Sequence, residues 1–382
     1  MIGAICLGEG TLFAMPFVVG SITEIYGISA GQAGLVLSLQ MIAMGIVSLG
    51  LALVLPRVTL RNAGLIAGGI CLVAHLVAAA MPAWPLFLAS RVLLGVGEGM
   101  ALAIANAAAA RSDHPHRAFA IITIAMSVMG VALFGLLPLI GGALGHHAVF
   151  VLLLALGVIT LPALCLLPPE RCVARVAGAA ATSAAMRVPR QLVAALAFVL
   201  FYISINGLWS YTERIATTAG LDMAVISHAY LMASIAGLAG PYLARVSEAR
   251  WGLLLPLLPG TIVQLTGNLV IGHAASATAF SAGAILIMVG YLFLLPFFKS
   301  TMALLDPSGR LAAAAAGLQA AGTALGPGGA GLMMSAGGSY LHVVYGSAAA
   351  LMIASILIAF CVAGRSVATP AFAPIQPHGG IS

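Results

Sequence analysis

Three ionisable side chains fall inside segments that are otherwise apolar: Glu9 in residues 2–20, and Arg91 and Glu98 in residues 85–108. A charge in hydrocarbon costs on the order of 2.5–3.5 kcal/mol on insertion scales, so each such residue implies a function or a partner. Arg91 and Glu98 are seven positions apart and share a helix face. Their separation along the axis is about 10 Å, too far for direct pairing. A carboxylate desolvated in apolar surroundings keeps its proton to higher pH, which suits it to load a proton on one side of a membrane and release it on the other. Glu9 and Glu98, with Arg91 beside them, are therefore the proton-coupling candidates. The competing reading is a structural ion pair of Glu9 or Glu98 with Arg91.

A second stripe is polar and aromatic. Tyr202, Asn206, Trp209 and Glu213 are spaced four, three and four, which puts them on one helix face. Burying a phenol or an amide in lipid without a partner is costly, so Tyr202 and Asn206 are expected to line a cavity. Trp209 and Glu213 lie nearer a segment end, where an interfacial belt is the alternative. Tyr291 and Gln319 extend the set in two later segments. Other chemistry is poorly represented. The five cysteines, Cys6, Cys71, Cys165, Cys172 and Cys361, have no metal-ligand spacing. His75 and His228 are isolated, His146 and His147 fall in a loop, and Asp113-His114-Pro115-His116 lacks a closed ligand set. No phosphate-cradling Gly-x-x-x-x-Gly-Lys-Ser/Thr loop occurs, so ATP coupling is not expected, and neither is a cofactor.

The elements that hold these residues follow from composition. The chain has 382 residues, 62% hydrophobic and only 6% charged, with a mean hydropathy of +1.15. A soluble domain carries about 25% charged residues. Apolar residues run in long blocks rather than the alternation of a membrane β-barrel. The expectation is an all-α polytopic membrane protein with twelve spans, at 2–20, 31–55, 62–80, 85–108, 118–143, 148–167, 191–213, 223–244, 252–272, 278–303, 311–334 and 341–363. Residues 1–20 are apolar from the start with no basic stretch before them, and read as the first span. Twelve arginines, from Arg57 to Arg365, fall in loops on one side with Lys299 near them, and only Arg214 falls on the other. By the positive-inside rule both termini and the 168–190 linker are cytoplasmic. That distribution assigns the net charge of +6 to membrane topology rather than to nucleic-acid binding.

The chain also repeats itself. Thr23-Glu24 recurs as Thr212-Glu213, Arg57-Val58-Thr59 as Arg245-Val246-Ser247, and Pro138 with Gly141-Gly142 as Pro327 with Gly328-Gly329, at offsets of 189, 188 and 189. The period is close to half the length. Two pseudo-symmetric six-helix bundles are expected, at 1–167 and 191–363, joined by the linker 168–190 and followed by a cytoplasmic tail at 364–382. At the same offset Tyr202, Asn206, Trp209 and Glu213 correspond to Phe13, Phe17, Gly20 and Glu24.

These residues resemble a twelve-helix member of the major facilitator superfamily over essentially the full length. The family's loop Gly-x-x-x-Asp-Arg-x-x-Arg-Arg is reduced here to Pro56-Arg57-Val58-Thr59-Leu60-Arg61, with Pro56 where the acid belongs. Its second copy, Gly240 to Arg250 and including Arg245, has Ala244 in the acid position. The gating salt bridge of that acid therefore does not form in the same way here. Arg91-Val92-Leu93-Leu94-Gly95-Val96-Gly97 is similar to the family's Arg-x-x-x-Gly-x-Gly motif. Leu137-Pro138-Leu139-Ile140-Gly141-Gly142 is similar to the Gly-Pro-x-x-Gly-Gly motif of drug:proton antiporters, with Leu137 replacing the first glycine, while Gly326-Pro327 keeps it in the mirror copy. Glycines of this kind serve close helix approach, and prolines kinks. The resemblance implies a cavity lined by spans one, four, seven and ten. It also implies a monomeric secondary transporter of a small organic molecule in the cell inner membrane, proton-coupled and exporting. Uptake of an organic or aromatic acid is the alternative. No catalytic cluster suggests an enzyme, and a non-transporting membrane sensor would be expected to carry a longer soluble appendage than residues 364–382.

Overall fold

The computed structural model describes residues 1–54, 58–80, 83–110, 115–167, 169, 188–305 and 310–363. The Arg57 motif position, nearly all of the 168–190 linker and the 364–382 tail lie outside the described residues. The described chain folds into fourteen α-helices: α1 (Ile2–Tyr26), α2 (Ala30–Val54), α3 (Leu60–Ala79), α4 (Trp84–Ala110), α5 (Pro115–Leu144), α6 (Ala148–Leu164), α7 (Val188–Trp209), α8 (Thr212–Thr218), α9 (Met223–Gly237), α10 (Ala239–Trp251), α11 (Leu257–Gly272), α12 (Ala277–Leu305), α13 (Arg310–Ser335) and α14 (Tyr340–Val362).

The protein is an all-α polytopic membrane protein. Among the described residues, nine stretches are long and apolar enough to cross a membrane. One of them, Ile124–Leu164, takes in most of α5 and all of α6, with a 3-10 turn at Gly145–His147 between them. The sequence expects twelve spans, and the fourteen helices arise because two expected spans are each broken in two. Between α7 and α8 the hydroxyls of Ser210 and Thr212 donate to the carbonyls of Asn206 and Trp209, at 2.6 and 2.8 Å. Side chains that turn back on the helix in this way bend it. Between α9 and α10 the break follows Gly237, and Pro241, four residues on, has no N–H to offer the Gly237 carbonyl. The expected span at 252–272 starts late, at Leu257, because Gly252 has φ 71° and Pro256 precedes the helix. Helix α1 runs six residues past its expected end and stops at Gly27, whose φ of 63° is the left-handed terminator that glycine adopts most cheaply.

Helix α1 is buried nearly all round and is the central post of the first half of the chain, against α4, α5 and α6. In the second half α7 packs on α13 and α14, α11 on α12 and α14, and α12 on α9. The two halves meet along α2 against α13 and along α5 against α9. Adding 189 to the bounds of α2 gives 219–243, the region of α9, and adding it to those of α5 gives 304–333, the region of α13, so the two seams are counterparts under the sequence repeat. Large apolar side chains such as Leu139, Ile159, Leu166, Leu258 and Ile356 point outward, as a lipid-facing surface requires.

Candidate functional site

Glycine positions bring the buried polar groups of α4 within reach of α2. A Cβ on Gly95 would collide with the main-chain carbonyl of Gln40, one on Gly99 with that of Met44, and one on Gly97 with Cys71 of α3. The Arg-x-x-x-Gly-x-Gly motif therefore lets α4 lie directly against two neighbours. That approach delivers Gln40, fully buried, between Arg91 and Glu98. Arg91 Nη2 donates to Gln40 Oε1 at 2.5 Å, and Gln40 Nε2 donates to Glu98 Oε2 at 2.7 Å. Thr11 Oγ1 of α1 donates to the other oxygen, Glu98 Oε1, at 2.5 Å. The expected alternative of a direct ion pair between Arg91 and Glu9 or Glu98 does not occur among the described residues. A glutamine spans the gap that one helix face leaves between them. The guanidinium also lies 6.0 Å from the Phe87 ring and 5.9 Å from that of Phe150. Its Nε and Nη1 are buried with no hydrogen-bond partner among the described residues.

In front of this network lies a cavity of about 660 Å³ between the two halves. Its wall on the first half includes Glu9 and Phe13 from α1, Asn106 from α4 and Met126 from α5. On the second half it includes Tyr202, Asn206 and Trp209 from α7, Tyr291 and Lys299 from α12, and Gln319 and Thr323 from α13. All five cavity candidates read from sequence, Tyr202, Asn206, Trp209, Tyr291 and Gln319, thus lie on one wall system, together with Glu9. Glu98 and Arg91 do not reach it. Tyr202 is held in an aromatic set with Phe198, Phe201 and Tyr291, at ring separations of 5.0, 5.8 and 6.3 Å. Asn206 donates to its own helix at the Tyr202 carbonyl, 3.0 Å.

Three polar cavity residues, Lys299, Asn106 and Thr323, escape the sequence reading as lining groups. Lys299 reads there as a marker of the positive side, because it lies near the end of a span. In the structure it is open to the cavity and contributes the only ammonium among the described lining residues. Asn106 is a lone amide two turns beyond Glu98 in the same helix, and that spacing is the signal that could have found it.

The lining residues of α1, α4, α5, α12 and α13 reach toward the face of the bundle where α1 begins, down to Ile5, Met302 and Ala315. From mid-depth toward the opposite face the halves are tied together. Trp209 Nε1 donates to the Phe13 carbonyl at 3.4 Å and Tyr211 Oη to the Ala30 carbonyl at 3.1 Å. Arg214 Nη1 meets Glu24 Oε1 at 2.5 Å, the one ion pair among the described residues. Glu213 is buried and packs on Gly20, away from the lipid boundary that was its alternative placement.

The remaining motif residues divide. Gly326 lies against Gly207 of α7 and Gly328 against Ser38 of α2, so the Pro327 copy makes the expected close approach. The Pro138 copy does not: a Cβ on Gly141 or Gly142 would meet nothing within 4 Å. Those two glycines lie near the end of α5, and their Cβ positions face open space. Arg61 Nε donates to the Leu167 carbonyl at 3.0 Å, fastening α3 to the end of α6. Arg245 is exposed on α10.

A bundle of apolar helices in two packed sets, with a polar and aromatic cavity between them, defines a membrane transport protein of the secondary type. The chain belongs to the Major Facilitator Superfamily, whose family model matches residues 1–327. No curated protein sequence matches the chain. Solved structures with the same fold include the human organic anion transporter MFSD10 (TETRAN), at 14% identity and TM-score 0.65, covering 94% of this chain and 97% of that one. The POT family transporter PepTSo is similar at 11% identity and TM-score 0.67, covering 94% and 96%. A POT family transporter in complex with 5-aminolevulinic acid is similar at 11% identity and TM-score 0.70, covering 94% and 95%.

Proposed function

We propose that the protein exports a small organic molecule in exchange for protons, by alternating access of the cavity between halves 1–167 and 191–363. The observation that carries this reading is Glu9. It is a largely buried carboxylate that lines the cavity and has no hydrogen-bond or ion-pair partner among the described residues. Glu98, already accepting from Thr11 and Gln40, acts behind it as a second carboxylate reached through Thr11, two residues from Glu9 in α1. The other charged groups that bear on Glu9 are Lys299 across the cavity and Glu98 behind it. The degenerate antiporter motif around Pro138 and its fuller copy at Pro327 support export. The protein then works as a monomer in the cell inner membrane with both termini in the cytoplasm, needs no cofactor or metal, and binds no nucleic acid.

A second reading, proton-coupled uptake of an organic acid, is favoured by the ammonium of Lys299 in the cavity. One experiment addresses both. Purified protein in proteoliposomes is given a compound panel with and without an imposed pH gradient. Gradient-driven movement of a compound against the proton flow supports export by exchange, and movement with it supports uptake. Flux of every transported compound independent of the gradient overturns proton coupling.

A further inference from the structure

Lys299 and Glu9 are opposite charges in one cavity that do not pair with each other. Neither makes an ion pair among the described residues, yet each lies within the other's electrostatic influence. They come from different halves. Glu9 is seven residues in from the start of α1, about 10 Å, and Lys299 is six residues from the end of α12, about 9 Å, so both lie about two turns inside the same face. The same cavity wall carries aromatic and amide groups, among them Phe13, Tyr202, Tyr291, Asn106 and Gln319.

Resting on the transport reading above, we propose that the cavity is a two-pole site for a zwitterion: a molecule whose carboxylate is held by Lys299 and whose ammonium is held by Glu9, joined by an apolar or aromatic body. A pure anion meets Lys299 favourably but is repelled by ionised Glu9. A pure cation meets the reverse. When the cavity closes and water leaves, each charge loses solvation and requires a counter-charge, and only a molecule carrying both signs supplies both. A cavity of this size accepts molecules from a single amino acid to a dipeptide. The bound molecule bridges α1 and α12, and so links the two halves through its own length.

The test uses purified full-length protein and three matched sets of compounds, with binding read by calorimetry. The sets are gamma-aminobutyrate with butylamine and butyrate, phenylalanine with phenethylamine and hydrocinnamate, and alanyl-phenylalanine with its C-terminal amide and its N-acetyl form. In at least one set the zwitterion should bind about tenfold or more tighter than both singly charged members, the discrimination expected of charged hydrogen bonds. Lys299→Met should erase the preference over the amine while keeping that over the acid, Glu9→Gln should do the reverse, and Lys299→Arg should restore the first preference. The proposal is overturned if no zwitterion exceeds both of its counterparts, or if these variants, monodisperse on size exclusion, leave both preferences intact. Gradient-driven flux of a singly charged compound without any zwitterion preference keeps the transport reading and overturns this one. Zwitterion binding with no gradient-dependent flux keeps the site and overturns the coupling.

Discussion

Glu9 and Glu98 differ in what holds them, and the difference separates their expected phenotypes. Glu9→Gln keeps size and hydrogen-bonding capacity but carries no proton. It should abolish gradient-driven flux while retaining substrate exchange across equal pH, with the half-saturating concentration of a zwitterion raised about tenfold by loss of the ammonium contact, and leave the melting temperature near wild type. In Glu98→Gln the amide oxygen can still accept from Gln40 and the NH2 can donate to Thr11 Oγ1, but Thr11 gives up its own donation and Arg91 loses the negative charge at the far end of the bridge. That loss should lower stability by about 1–2 kcal/mol. Gln40→Leu removes the link between two buried charges and should cost more, about 3–5 kcal/mol, read as a fall in melting temperature in detergent. Retention of gradient-driven flux in both glutamate variants would leave them as structural residues. At this scale the sequence is legible where residue type alone is improbable in lipid, as with Glu9, Arg91, Glu98 and Asn206. Lys299 is not legible, because a lysine two turns from a span end also satisfies the positive-inside rule. Gln40 is not, because its role depends on which helix packs beside α4.

At the scale of elements, glycines with similar motif credentials have different surroundings. A Cβ on Gly95 or Gly99 would strike main-chain carbonyls of α2, which cannot rotate aside. Gly95→Ala should therefore destabilise by about 1–3 kcal/mol and weaken the Gln40 bridge with it. Gly142→Ala meets open space and should be neutral or stabilising by up to about 1 kcal/mol, since alanine favours helix. Paired melting curves decide between these outcomes. Most helix positions were readable from apolar runs and turn residues, because twenty apolar positions in a row have few other solutions. The breaks at Ser210 and after Gly237 were not, because membrane helices tolerate hydroxyl and proline residues within a continuous span.

Across the whole molecule, the ties between halves gather toward the face opposite the start of α1. Gly31 of α2 lies against Ser335 of α13 there. A Gly31→Cys/Ser335→Cys pair, in a background lacking the five native cysteines, should form a disulfide under oxidation that stops flux, and reduction should restore it. Unchanged flux after complete cross-linking would mean that this face does not open. Orientation is checked separately. Cysteines at Arg61 and at Arg214 should label from opposite sides of the membrane, with Arg61 on the cytoplasmic one. The two-fold repeat of the chain implies that the contact of α2 with α13 has a counterpart in that of α5 with α9, but not which face these contacts close, since both faces are built from the same kinds of residue.

Several of the bonds across the seam end on main-chain carbonyls: Trp209 on Phe13, Tyr211 on Ala30, and Ser38 on Ala324, the last at 2.5 Å. A carbonyl is supplied by any amino acid, so the accepting side of each of these contacts places no demand on side-chain identity. The two halves can therefore diverge at different rates without losing their fit. Chimeras that join one half of this chain to the complementary half of a distant relative should assemble more often than their low identity would suggest, and new substrate ranges could arise by exchanging halves rather than by rebuilding a cavity residue by residue.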